Sequence, residues 1–556
     1  MISVLATNVV SPLGFTTEEN YRAVREGRSE LLRYDSWRGV PEPFVASMFS
    51  DDQRAELAID GYTLFESVAI RSVEDAVGRC AVSVASPNTI FILSTTKANV
   101  DELGGEKYLS PGDSARKIAQ YFGFVNDPIV VCNACISGAD AQLLALRLLS
   151  NGAYDNAVVC GVDVVTPFVV AGFLSFKSLA LAPCRPFDIE RTGLNLGEAA
   201  ATIVFGRKAA TEGTWQLCAG AMSNDAYHVS APSPKGDGSY RAINEVLAGV
   251  DTADLALLSV HGTATMFNDQ MESKAIERAG LCDVPVSALK GYYGHTLGAA
   301  GVLESIITMR ALNDGVALGV RGFEEIGVSG KVNLSAVERN VKGEMFLKMI
   351  SGFGGCNGAL LFSQSGKDHR QSNQTTPKAT GRVVLTNHEV VVNGRKEPFE
   401  ATGSALLTEI YKQRVGDYPK FYKMDTLSRL ALVATELLVQ QQEESSEECS
   451  IVLFNSSSSI VADRKHIASI QDEANFYPSP SLFLYTLPNI ALGEVAIKHR
   501  CIGETSLYIL ERRNEQTMRL AIESIMAQSN IARMITGWIN CDDEDNFEAD
   551  IQIITK

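Results

Sequence analysis

The chain has 556 residues, 46% hydrophobic and 21% charged, with 45 glycines and a formal net charge of −17. That length supports two or more domains, each with its own core, and the composition is globular with no disorder signature. The acidic balance excludes nucleic acid as a general partner, and it requires that any acidic protein partner dock at a local basic patch.

The first residues, Met1 to Leu5, read as a strand with no basic leader, so no signal peptide is expected. No apolar run approaches the roughly 20 residues needed to cross a bilayer. The eleven cysteines scatter through apolar runs as reduced thiols do. The expectation is a cytoplasmic protein without membrane insertion. From residue 1 to about 364, strands are predicted near 2–5, 89–94, 129–132, 156–161 and 201–205, with helical periodicity between them. Such alternation builds a mostly buried sheet covered by helices.

The stretch 128–149 organises this region. A short apolar strand leads into a small-residue turn carrying Cys135, and an apolar helix follows to about residue 150. At a helix N-terminus the dipole and free N–H groups favour a thiolate, and the expected pKa falls from roughly 8.5 toward neutrality. Cys135 is therefore a candidate nucleophile, against the alternative of a buried small hydrophobe. Cys132 and Cys135 also form a C-x-x-C, which elsewhere marks redox chemistry or half a zinc site; no second such pair exists in the chain.

A thiol nucleophile needs partners, and the chain has seven histidines. His261 follows the apolar run 255–260 in His-Gly-Thr-Ala-Thr, just past a strand end. His295 stands in Lys290-Gly-Tyr-Tyr-Gly-His-Thr-Leu-Gly-Ala-Ala-Gly301, a glycine-broken loop that opens a small-residue helix. Each alone fits a structural histidine; with Cys135 they form a constellation.

In this order the motifs resemble those of β-ketoacyl-acyl-carrier-protein synthases, condensing enzymes of the thiolase-like superfamily. The resemblance extends to Gly352-Phe-Gly-Gly-Cys-Asn-Gly358, to Cys184-Arg-Pro-Phe-Asp188 with Arg191, Gly193, Gly197 and Glu198 beyond it, and to Asp269-x-x-Glu272. It implies an α/β, five-layer αβαβα fold over residues 1–364. It also implies that Cys135 takes an acyl chain from the phosphopantetheine of an acyl carrier protein. Malonyl-carrier protein then loses CO₂ and its carbanion attacks the thioester.

In that scheme His261 and His295 act as neutral donors to the malonyl thioester oxygen. The N–H groups of Cys135 and Phe353 form the oxyanion hole, with Gly354 among the glycines that give the chain room, and Phe353 gates the nucleophile. Lys290 orients the histidine region, or else is a structural ion pair with Glu272. Thr263 and Thr265 hold the pantetheine arm, although strand-end threonines are usually turn residues. Two departures stand out. Ile136 replaces the usual alanine, which bears on the shape of the acyl pocket, and Cys356 replaces threonine. No resident cofactor is implied, no residue cluster has metal-ligand spacing, and the Gly-Phe-Gly-Gly turn is too irregular for a dinucleotide fingerprint.

Residues 365–381 are polar and punctuated by Gly and Pro, and read as a linker. The chain then starts again: 382–387 resembles 2–7, 428–436 follows the spacing of 66–74, 451–458 parallels 90–97, and 532–537 can be set against 156–161. Residues 382–556 read as a partial second copy, a half thiolase-like domain. It lacks both histidines and has Glu511-Arg512 where Cys135 would fall. The acidic runs 443–448 and 542–545 read as solvated loops.

The reading is thus a ketosynthase of fatty-acid or aryl-polyene/polyketide-type assembly, either a homodimer or an intramolecular pseudo-dimer in which the half-copy imitates a partner subunit. A thiolase or decarboxylase on the same scaffold is a second reading, with Cys356 as the nearest second thiol. A non-catalytic carrier-binding scaffold or chain-length factor is a third.

Overall fold

A computed structural model describes residues 2–105, 108–207, 213–364, 377–440, 448–472, 476–528 and 531–556. The first sheet contains β1 (Ile2–Val10), β2 (Thr89–Ser94), β3 (Ile129–Val131), β4 (Asn156–Asp163) and β5 (Ala199–Gly206). Its order is β3-β2-β4-β5-β1. β2 runs parallel to β3 and β4, and β5 runs antiparallel to β4 and β1. Ile90 to Leu93 are wholly buried, as expected of parallel strands covered on both faces.

The second sheet repeats the pattern with β6 (Gln216–Asn224), β7 (Leu255–Ser259), β8 (Val286–Ser287), β9 (Met345–Gly352) and β10 (Cys356–Ser363), in the order β8-β7-β9-β10-β6. Between the two sheets lie α2 (Ser137–Ser150) and α5 (Ala300–Asn313). α1 (Leu64–Gly78) covers the outer face of the first sheet, and α3 (Asp237–Val246), with α4 (Met266–Arg278) packed on it, covers the second. These are the five layers the motifs imply. α1 begins where a capping box of Thr63 and Glu66 satisfies its first N–H groups.

The C-terminal unit has β11 (Lys378–Thr386), β12 (Ser450–Asn455), β13 (Thr505–Ile509), β14 (Arg533–Cys541) and β15 (Phe547–Thr555), with helices α6 (Thr426–Val439), α7 (Ile490–His499) and α8 (Glu515–Gln528). Its order, β13-β12-β14-β15-β11, and its pattern of parallel and antiparallel pairs are those of the first sheet. β11 begins inside the expected linker, so residues 378–381 are strand; residues 365–376 lie outside the described residues, as do 443–447 of the first acidic run. The second run, 542–545, joins β14 to β15 as an exposed turn.

Strand register refines the internal comparison. β4 starts opposite Thr89 at Asn156, and β14 lies opposite Ser450 at Met534. Met534, two residues beyond Ala532, therefore takes the place of Asn156 and keeps the same face, because strand side chains alternate with period two. Likewise Ile92 pairs with Ile129 and Leu453 with Leu507. Cys135 lies six residues past Ile129, and six past Leu507 is Arg513, one residue beyond the expected Glu511-Arg512.

β3 and β13 join antiparallel, Val131 opposite Tyr508 and Val130 opposite Ile509. In the register just given, Val130 corresponds to Tyr508 and Val131 to Ile509. The two pairs therefore exchange under a local two-fold, the signature of an isologous contact, here within one chain. The apolar core crosses this junction: one cluster contains Val68 and Ile70 of α1, Val130 of β3, Leu432 of α6 and Ile451 of β12.

Candidate active site

Cys135 lies in a single 3-10 turn, Ala134–Ile136, between β3 and α2, and Ala134 holds a left-handed φ of 48°. Such a conformation costs an alanine roughly 1–2 kcal/mol. The turn is held by the Asn133 N–H donating to Ser137 Oγ (2.8 Å) and by Ser137 Oγ–H donating to the Ala134 carbonyl (2.6 Å). Glycines set the approach of α5. A Cβ on Gly138 would lie 2.8 Å from the Gly298 carbonyl, and one on Gly301 would lie 2.5 Å from the Ala139 nitrogen. The small-residue stretch after His295 thus lets α5 touch α2 backbone to backbone, which brings the histidine loop over Cys135.

Cys135, His261 and His295 converge, all buried, with their ligand-type atoms within 4.8 Å of one another. The two imidazoles meet edge to face, 5.1 Å between centroids. Lys290 Nζ donates to His261 Nδ1 (3.1 Å), and the Leu297 N–H donates to His295 Nδ1 (3.3 Å). Each ring therefore keeps its proton on Nε2. His295 Nε2 is buried without a hydrogen-bond partner among the described residues. Burial, reinforced by Lys290 and Lys348, holds both histidines well below their ordinary pKa and keeps them neutral.

This triad has a donor set that a metal could use, although the residues are far apart in sequence. The charges argue otherwise. Both Nδ1 atoms are occupied, and the ammonium groups of Lys290 and Lys348 stand beside the site, so it favours an anion.

The expected low thiol pKa is overturned. Burial pushes Cys135 up to about 12, against Lys290 and against the N–H groups of Cys135 and Phe353, which favour the thiolate. Desolvation of a buried charge outweighs a helix dipole. The same two N–H groups converge on the nucleophile as an oxyanion hole would.

Lys290 pairs with Glu304 (2.6 Å), and Glu304 also binds Lys348 (2.6 Å). The expected Lys290–Glu272 pair does not form. Glu272 instead accepts from the N–H groups of His261 and Gly262, each at 2.7 Å, and so fixes the turn that carries His261. Asp269 does the same for Phe187 and Ala264.

A cavity of about 330 Å³ opens from Cys135, His261 and His295 past Thr263, Thr265 and Phe267 to the surface. Thr263 and Thr265 share a 2.8 Å hydrogen bond on its wall. Phe353, against Phe173 and Phe176, forms another wall. Behind it a small space of about 10 Å³ touches Cys135, Lys97 and Leu297, with Phe483 and Leu487 of the C-terminal unit on its far side.

Three sequence-derived site residues do not line either space. Lys290 is buried behind His261, to whose Nδ1 and carbonyl it donates. Ile136 is fully buried in the apolar cluster between the sheets, which also holds Ala139, Leu143 and Met222, and it lines neither space. Gly354 turns the other way: its N–H donates to the Val229 carbonyl (2.7 Å), and its Cα packs against Gly493 of α7. Cys132 is buried and donates to the Thr96 carbonyl (3.3 Å), which removes the redox and zinc readings of the C-x-x-C. Sequence reasoning missed Glu304, Lys348 and Asp163. The last accepts from Thr95, Thr96 and Gly298 and ties β4 to the His295 loop. Lys348 had a visible signal, a lone charge within an apolar strand.

Models of the β-ketoacyl synthase N-terminal and C-terminal domains match residues 88–210 and 216–324. A putative mitochondrial 3-oxoacyl-[acyl-carrier-protein] synthase of Schizosaccharomyces pombe is 32% identical over 421 residues, spanning 65% of this chain and 99% of that protein. The chain belongs to the β-ketoacyl synthase family. Among solved structures, the Xenorhabdus doucetiae ketosynthase (ApeO) in complex with its chain length factor (ApeC) aligns with 65% of the chain and 97% of its own (TM-score 0.58, 23% identity). The PfaC keto synthase-chain length factor aligns with all of this chain and 78% of its own (TM-score 0.79, 14% identity). The likeness in fold thus extends through the C-terminal unit of this β-ketoacyl synthase, where the match to the yeast relative covers only 65%.

Proposed function

We propose that the chain is a 3-oxoacyl-[acyl-carrier-protein] synthase that condenses malonyl-carrier protein with an acyl chain held on Cys135, in fatty-acid or aryl-polyene/polyketide-type assembly. The observation that carries this reading is the convergence of Cys135 with two neutral imidazoles, each with its donor proton on Nε2.

Acyl transfer puts negative charge on the thioester oxygen, where the N–H groups of Cys135 and Phe353 receive it; covalent storage splits the condensation into two easier steps. As the Cys135 thiol adds, the carbon–sulfur bond to the carrier's pantetheine breaks, and the departing sulfur takes up the proton the thiol gives up, so the carrier leaves as the free thiol. Decarboxylation then places negative charge on the malonyl thioester oxygen, and His261 and His295 donate to it. Each such donor is worth roughly 3–4 kcal/mol. The enolate carbon attacks the acyl thioester, and Cys135 leaves as a thiolate. Lys290 keeps His261 in the Nε2–H tautomer and is charge-balanced by Glu304. Thr263 and Thr265 line the cavity along which a pantetheine arm reaches the thiol, and Phe353, as the gate, must swing aside to widen the small space behind it for an acyl chain.

Residues 1–364 form the complete domain and residues 382–556 a degenerate partial copy, which stands where a partner subunit would and makes the chain an intramolecular pseudo-dimer. The local two-fold at β3 and β13 supports this, as do Phe483 and Leu487, which line the small space beside Cys135. The intact thiol and histidines favour catalysis over a scaffold role. A thiolase is disfavoured because Cys356 Sγ engages Thr505 (3.3 Å) and Asn133 (3.5 Å), and no second thiol joins the cluster among the described residues.

The test is intact mass after incubation with acyl-carrier thioesters. An acyl adduct on the wild type and none on Cys135→Ala is expected; no adduct from any donor would overturn the reading.

A further inference from the structure

The turn that carries Phe353 is held from outside its own domain. Asn489, at the N-terminus of α7 in the C-terminal unit, donates through Nδ2 to the Phe353 carbonyl (2.8 Å). The same Nδ2 lies 3.6 Å from Cys356 Sγ. Its Oδ1 is buried without a partner among the described residues, so the amide's orientation is set by the carbonyl it serves: turned over, two oxygens would face each other.

Around this bond the fit is backbone to backbone. A Cβ on Gly493 would lie 2.8 Å from the Gly354 carbonyl, and one on Gly354 would lie 2.7 Å from Asn489 Nδ2. Thr505 of β13 completes the contact, accepting from Asn224 (2.9 Å), which also donates to the Gly354 carbonyl (2.8 Å).

We infer that Asn489 is a positioning residue for acyl transfer, supplied by the C-terminal unit to the oxyanion hole of the first. The Phe353 carbonyl that Asn489 grips and the Phe353 N–H that faces Cys135 belong to one residue on a glycine-flanked turn, whose next two carbonyls accept from Asn224 (2.8 Å) and Asn357 (3.0 Å) while the Phe353 carbonyl itself is left to Asn489. The two groups lie in adjoining peptide planes that meet at the Phe353 Cα, so holding the carbonyl restrains the torsions between them and narrows the directions open to the N–H, and an oxyanion donor acts only when it is aimed in advance. His261 and His295 sit on other segments and do not depend on Asn489. The C-terminal unit thereby acts in catalysis although it contains no reacting group.

The inference rests on the reading of Cys135 as the acyl-accepting thiol, and the experiment separates the two. Asn489→Ala, Asn489→Asp and Thr505→Val are prepared in the full chain. Two rates are measured for each: acyl loading of Cys135 by rapid-quench intact mass, and CO₂ release from malonyl-carrier protein without an acyl donor.

Asn489→Asp keeps the shape but replaces the donor by an acceptor. Both Asn489 variants should load the acyl group about tenfold or more slowly, by the cost of misaligning a reacting group, while CO₂ release stays within about twofold of wild type. Thr505→Val should produce a smaller loss of the same kind. Loading at the wild-type rate in Asn489→Asp would overturn the inference, as would an equal fall in both rates with unchanged thermal midpoints. A wild-type chain that never loads Cys135 would refute the underlying reading instead.

Discussion

At the N-terminus of α2 the helix dipole favours a thiolate by about 0.3–1 kcal/mol, whereas one unit of pKa corresponds to about 1.4 kcal/mol. Burial that pushes Cys135 up to about 12 therefore dominates, and the resting enzyme holds a thiol. Alkylation by iodoacetamide should rise roughly tenfold per pH unit between pH 7 and 10, since only the thiolate reacts; a plateau below pH 8 would contradict this. The histidines titrate in the opposite sense. With His261 and His295 held well below their ordinary range, condensation should not lose its donors between pH 7.5 and 6. The unfolded chain does take up protons below about pH 6.5, so these residues cost stability as pH falls through that value. His295→Gln, neutral at every pH, should lessen the drop in urea midpoint between pH 7 and pH 5.

On the scale of elements, α5 presents Glu304 to two buried ammonium groups, Lys290 on the histidine loop and Lys348 on β9. Removing one partner of a buried ionic cluster costs about 3–5 kcal/mol because it leaves charge uncompensated. Glu304→Gln should therefore lower unfolding free energy by about that amount. Lys348→Met added to it should recover part of the loss, since the two sites are coupled; additive losses in a double-mutant cycle would argue against a shared cluster. The sequence made the catalytic elements legible because motif order and apolar runs reach through local structure. β2, and the turn after β9, lie where the residue pattern places them. It did not disclose Glu304 as the partner of Lys290, because Glu304 falls within the apolar pattern of α5 and the pairing depends on how the histidine loop packs against that helix. Ile136 misled for the same reason, since only packing decides whether a residue beside a nucleophile faces the pocket or the core.

For the whole molecule, a second copy is the reading that the strand sequences and the strand order shared by the two sheets support, and its register comes only from hydrogen-bond pairs. Its consequence is a junction with its own buried charge. Arg147 on α2 and Glu504 before β13 form a two-pronged pair at 2.8 and 2.6 Å, with side chains 3% and 2% exposed. Asp140 lies beside them, raised to about 7 by burial and by Glu504, and accepts from Tyr508 (3.3 Å). Since apolar clusters also cross the junction, the two units should unfold together. Glu504→Gln leaves Arg147 buried with its charge unmatched and should lower stability by about 3–5 kcal/mol. The loss should appear as a shift of one transition, seen identically by far-ultraviolet circular dichroism and by the fluorescence of Trp215 in the first unit and Trp538 in the second. Single-tryptophan variants resolve the two probes. A shift confined to Trp538, with Trp215 melting as in the wild type, would mean that the C-terminal unit is a separate folding domain, and that the shared core does not transmit its loss to the site.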